Sequence, residues 1–280
     1  MRRRTTAAAL AAVGVLALVG VLQAHDMFLK LESYFLPSDA TVSVQLLNGT
    51  FEQSENAIAR DRMTDVSVVG PGSDDVSHPS TSRWTDSANA AVLRTETGDP
   101  GTYVVGVSTA ERTFTLSGED FDGYLEHDGV LDVLEARREA GEMGTETTET
   151  YSKHVKAVVQ VGEARSEAYA KRLGYPVELV PLQNPYDLSA GDTLELRFLS
   201  EGRPVSDQIV YAGYEGYEAG AGAGEHRDPV QTRTDDGGIA RIPLERAGKW
   251  YVRVIHMVRV PDDPEVDYES NWATVSFEMR

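Results

Sequence analysis

From residue 27 onward the chain alternates apolar and polar positions at period two. Met27 to Leu31 and Thr41 to Leu46 each read as a strand, with Pro37, Ser38 and Asp39 forming the turn between them. Val66 to Val69, Ala91 to Thr95, Tyr103 to Val107 and Thr113 to Leu116 continue the series. Short strands at this spacing predict an antiparallel β-sandwich. The period then changes. Phe121, Tyr124, Leu125, Leu131 and Leu134, interleaved with Glu135, Arg137, Arg138 and Glu139, predict one or two short helices ending near Gly141. Glu142 to Thr150 is polar, acidic and threonine-rich and reads as an exposed loop, after which Tyr151 to Val161 resumes as a strand.

The last third repeats the grammar of the first. The segment Leu36 to Val44 (Leu-Pro-Ser-Asp-Ala-Thr-Val-Ser-Val) is echoed by Leu188 to Leu196, and the Gly-x-aromatic step Gly101-Thr102-Tyr103 by Gly248-Lys249-Trp250. Gly/Asp turns ahead of alternating strands are common in all-β chains, and two echoes in the same order put duplication of one unit on an equal footing with convergent turn chemistry. The expected organisation is a signal peptide at 1–24, a first β-sandwich unit at 25–118, a helical and loop insertion at 119–150, and a second β-sandwich unit at 151–280. Glu218 to Glu225 is a glycine-alanine stretch that lacks the lysine and Ser/Thr of a phosphate loop. It reads as a loop carrying Tyr214, Tyr217 and His226.

The compartment comes from the first residues. Arg2, Arg3 and Arg4 precede an apolar run from Ala7 to Leu22 that is shorter than the roughly 20 residues a spanning helix needs. Leu22-Gln23-Ala24 offers a cleavage site, so the mature chain is expected to begin at His25 and to be periplasmic or secreted, with no stable membrane insertion after cleavage. With no cysteine, the exported protein would have no disulfide and no thiolate ligand. Loss of three arginines takes the net charge from −19 to −22, which argues against nucleic acid as a partner.

Chemistry concentrates in a few places. A chain that begins with His25 offers an α-amine and an imidazole nitrogen as a chelate for a borderline divalent ion. His256 ends the run Tyr251-Val252-Arg253-Val254-Ile255-His256 and is the best second ligand, with carboxylates at Asp267 and Glu269 close behind in sequence. Each histidine reads equally well as an ordinary structural residue. Tyr151, Lys153 and His154 form a second polar cluster, in which His154 and Lys156 share one strand face and Tyr151 and Lys153 the other. His78, His127 and His226 fall in polar turns. No zinc-protease helix, nucleophile elbow or dinucleotide turn is present, so a binding protein rather than an enzyme is expected.

Ala24-His25-Asp26, Tyr151-Ser152-Lys153 ahead of Ala157 to Gly162, Glu178 to Pro185, and Tyr268 to Thr274 together resemble the DUF4198 family. These are periplasmic proteins similar to the extracytoplasmic components of nickel and cobalt uptake systems. The resemblance implies a mainly β fold of two transthyretin-like or immunoglobulin-like sandwich units. It also implies a transition metal ion, nickel or cobalt, and delivery to a membrane metal transporter. It points to His25, Tyr151, Lys153 and Asp267 to Trp272. The nickel-transport relatives are expected to carry histidine just behind the first mature residue, whereas here it would be first, and copper therefore competes. The alternative expectation is a metal-free sandwich that binds a carbohydrate, peptide or protein through Tyr211 to Tyr217.

Overall fold

The computed structural model describes residues 25–72, 76–80, 83–217 and 228–280. The expected signal peptide at 1–24 and the glycine-alanine stretch with His226 lie outside the described residues. Eight strands come first: β1 Asp26–Lys30, β2 Phe35–Leu36, β3 Thr41–Gly49, β4 Met63–Val69, β5 Trp84–Ser87, β6 Ala90–Glu96, β7 Gly101–Thr109 and β8 Arg112–Ser117. Two helices follow, α1 Gly118–Asp128 and α2 Leu131–Ala140. The remaining strands are β9 Gly144–Val161, β10 Val177–Pro181, β11 Thr193–Ser200, β12 Arg203–Pro204, β13 Ile209–Tyr214, β14 Val230–Arg233, β15 Ile239–Pro243, β16 Gly248–Arg259 and β17 Tyr268–Met279.

The protein is mainly β, a sandwich built on a nine-stranded sheet of order β14-β13-β16-β17-β9-β7-β4, with β2 and β8 also paired to β9. An outer sheet β1-β3-β6-β5 and a second outer sheet of β10, β11, β12 and β15 complete it. Alternation decides which face each side chain serves. On β9, Val155, Ala157 and Val159 turn toward the β1 sheet, where Val159 meets Leu31 and Val44 around one small cavity. Lys156 turns the other way and pairs with Glu178 on β10. The two cores merge into a single apolar cluster that includes Leu46, Leu93, Val158, Phe198, Trp250 and Phe277.

Both echoed segments fall at corresponding places. Each turn-then-strand segment becomes a strand of an outer sheet, β3 or β11, and each Gly-x-aromatic step opens a strand of the central sheet, β7 or β16. The central sheet nevertheless runs through both halves, because β9 pairs antiparallel with β7 on one side and parallel with β17 on the other.

The helices occur where the periodicity places them. Ser117 caps α1, its hydroxyl accepting from the Asp120 amide at 3.2 Å, and Gly129 and Gly141 end the two helices in the left-handed conformation. Phe121, Leu125 and Leu134 pack on Ile255, Met257, Tyr268 and Trp272 of the central sheet. The expected loop at Glu142 to Thr150 is corrected by the structure: from Gly144 onward it is the first half of the 18-residue β9. Its threonines suit a pleated surface, and Thr113–Thr150 and Thr115–Thr148 hydroxyl pairs at 2.8 Å tie it to β8. Among the described residues no helix is long and apolar enough to cross a membrane.

Candidate functional site

Strand β1 positions the expected mature start. Met27 and Leu29 enter the core, and Phe28 packs edge-on against Phe51 and Tyr251 at 5.3 and 5.0 Å. Thr274 donates to the Met27 carbonyl at 2.8 Å, so β1 is fastened to the central sheet as well as to β3. At its head, Lys153 Nζ donates to the His25 carbonyl, and His25 Nε2 lies 2.9 Å from Glu55 Oε2. His25 is thereby held at its main chain by Lys153 and at its ring by Glu55.

Beneath it lies a buried group of charges. Lys153 Nζ also reaches Asn48 Oδ1 at 3.3 Å and stands 4.8 Å over the Trp272 ring and 5.7 Å from that of Tyr151. Burial pushes the Lys153 ammonium down to about 8, against the pull of Asp26. Glu149 is fully buried, accepting from Ser270 and from Tyr124 (3.2 Å), and burial pushes it up to about 8. Asp26 pairs with Arg253 at 3.4 Å, and Arg253 with Asp228 at 2.8 Å and the Asp128 carbonyl at 3.0 Å. His127 lies at the end of α1 rather than in a turn, 2.9 Å from Asp128.

His256 is not part of this group. Lys153, Trp272 and Ile255 lie in register across β9, β17 and β16, and the adjacent rung is Ser152, Asn271 and His256. Neighbouring rungs face opposite ways, so Lys153 projects toward His25 while His256 projects toward β11, where it meets Phe198 edge-on at 5.6 Å. The expected convergence of His25 and His256 is therefore corrected: the central sheet separates them. Glu269 shares the His256 face and accepts from Asn271 at 2.9 Å, while Asp267 Oδ2 is occupied by the Thr148 amide at 2.8 Å. His154 is buried in the sheet between Ser108 at 2.9 Å and Ser152 and Asn271 at 3.0 and 3.1 Å, and burial lowers its pKa. Tyr151 flanks Lys153, with Phe114 at 5.6 Å and the Arg62 guanidinium at 5.4 Å. Tyr211 is committed to the Gly129 carbonyl at 3.0 Å, and Tyr214 to the Trp250 ring at 4.9 Å. Among the described residues no three or more His, Asp or Glu side chains converge as a cation cage.

Glu55, Asn48, Glu149, Arg253 and Asp228 went unmarked in the sequence. One signal was available for Arg253: a guanidinium flanked by Val252, Val254 and Ile255 in a core strand must be buried, and a buried charge demands partners.

Fold and site define a multi-sheet β-sandwich protein whose expected mature start sits over a buried charge cluster. The chain belongs to the DUF4198 family, a domain of unknown function, whose family model matches residues 22–258. No curated protein matches it. Similar solved structures include the D0-D1 domain of intimin, at 14% identity and TM-score 0.21, covering 90% of this chain and 97% of that one. Clostridium thermocellum CbhA fibronectin(III)-like modules align at 10% identity and TM-score 0.19 over 90% and 94% of the two chains. The two-domain fibronectin type-III segment of chicken tenascin does so at 10% and 0.19 over 89% and 97%. Superpositions this loose say nothing of function.

Proposed function

We propose that this chain, once cut between Ala24 and His25, works outside the cytoplasm as a binding protein for a divalent transition metal, nickel, cobalt or copper, and passes it to a membrane transporter. The observation that carries the reading is the placement of His25. Its Nε2 engages Glu55, so a chelate closed by the new α-amine would use the other ring nitrogen, Nδ1. A carboxylate on the far nitrogen of a ligating imidazole fixes the ring and raises its basicity, the usual arrangement behind a metal-bound histidine. Lys153 and the β1–β3 pairing hold the main chain, which reduces the entropy lost on chelation. The surplus of acidic residues supplies a field that attracts cations. His25 with Glu55 fits such an ion, whereas His256, Asp267 and Glu269 do not reach it. The chemistry is capture and release, with no catalytic step.

The test compares protein beginning at His25 with the same protein carrying one extra glycine ahead of it, and with His25→Ala. Calorimetric titration with Cu(II), Ni(II) and Co(II) should show one equivalent bound at micromolar concentration or tighter, weakened about tenfold or more by the added glycine, since an amide cannot replace the amine. Equal affinity with and without the glycine would remove the proposal. So would mass spectrometry that finds the exported protein starting elsewhere.

A further inference from the structure

A second site lies at the edge of the central sheet, where β16 runs on past its pairing with β13, and is independent of His25. We propose that the cleft between the α1–α2 corner and strands β13 and β16 binds a small hydrophobic amine whose N–H donates to Nε2 of His256. The cleft holds about 200 Å³ and is walled by Val130, Val133, Val205, Ile209 and Met257. That is below the roughly 300–1,000 Å³ of pockets for drug-sized ligands, so it suits a molecule of single-ring size.

The polar end of the cleft is set by Gln208. Its Nε2 donates to the carbonyls of Ile209 and Ile255 at 3.3 and 3.2 Å, which orients the amide and turns Oε1 toward His256 Nδ1 at 2.8 Å. An amide oxygen only accepts, so Nδ1 carries the ring proton and Nε2 keeps the lone pair. Burial lowers the imidazole's basicity against the opposing pull of Glu269, which favours this neutral form. Phe198 holds the ring from the core side. A His256 arranged this way is an acceptor built to meet a donor.

Charge selects among donors. Asp132 and Asp207, both at the cleft, share the single guanidinium of Arg233, at 2.6 and 3.4 Å. Two carboxylates against one cation leave the rim negative, which favours an ammonium and disfavours a carboxylate ligand.

The test uses protein with ¹³C-labelled methionine methyls, because Met257 lines the cleft while Met27 and Met279 sit in the main core. Benzylamine is the probe and benzoate the comparison. Benzylamine should shift the Met257 methyl saturably and leave Met27 and Met279 in place; benzoate should not shift it. His256→Phe, which keeps an aromatic ring against Phe198, should weaken benzylamine about tenfold. Leu131→Trp, at an exposed position on the cleft wall that tolerates substitution, should block it. Unchanged core methyls establish that each variant is folded. No Met257 shift, equal affinity in folded His256→Phe, or benzoate binding as well as benzylamine would each overturn the site.

Discussion

Glu149 shows how far a single buried group can set the pH response of the whole molecule. Its Oε1 takes both hydrogen bonds, from Ser270 and Tyr124, while Oε2 is buried without a hydrogen-bond partner, so a negative charge there is poorly compensated. With its pKa raised to about 8, the folded chain keeps this proton while the unfolded chain releases it above about 4.5, so stability falls as pH rises between those values. Lys153 acts above that window. Depressed to about 8, it leaves the unfolded chain holding more protons up to about 10.5, and stability recovers as pH rises through that range. Glu149→Gln preserves an oxygen for Ser270 and Tyr124 and removes the titration. Unfolding free energies from urea titrations between pH 5 and 8 should fall for the natural chain by on the order of a few kcal/mol more than for the variant. Parallel slopes in the two proteins would place Glu149 in its charged form.

At the level of elements, two glycines of α1 make opposite predictions. A Cβ on Gly118 would lie 1.9–2.3 Å from the backbone of Gly144 and Thr145, where α1 is bridged to the start of β9. Gly118→Ala should therefore cost about 2 kcal/mol or more, because backbone rather than a flexible side chain must move. Gly123 has nothing within 4 Å of such an atom, and Gly123→Ala should stabilise by about 0.5–1 kcal/mol; thermal midpoints of the two variants decide both. Most elements were legible because period-two alternation and the shift to helical spacing near Phe121 report burial directly. The first half of β9 was not, because its inward positions are Thr147 and Glu149, polar groups whose burial depends on Tyr124 and Ser270, distant in sequence. Of the candidate site, His25 and Lys153 stood out in the sequence, but their contact, made where β1 lies across β9, did not. It was illegible at His256, since a one-residue difference in register sends a side chain through the sheet to the other face, and no local pattern encodes that register.

Across the whole molecule, Arg253 joins parts far apart in the chain: Asp26 at the head of β1, Asp228 ahead of β14 and the carbonyl that ends α1. Arg253→Met should cost about 3–5 kcal/mol in denaturant unfolding, because it removes the cation that two buried carboxylates share rather than because a salt bridge is strongly favourable in itself. Adding Asp228→Asn to that variant should recover part of the loss, and strict additivity of the two would show that the groups do not interact. The pairing of β9 with β17, and the bond from Thr274 to the Met27 carbonyl, carry a further consequence. Residues near 27 cannot be sealed into place until residues near 274 have been synthesised, so a nascent chain emerging head first stays without its central seam until very late. A polypeptide of this topology closes its last seam only when both ends of the chain are present together.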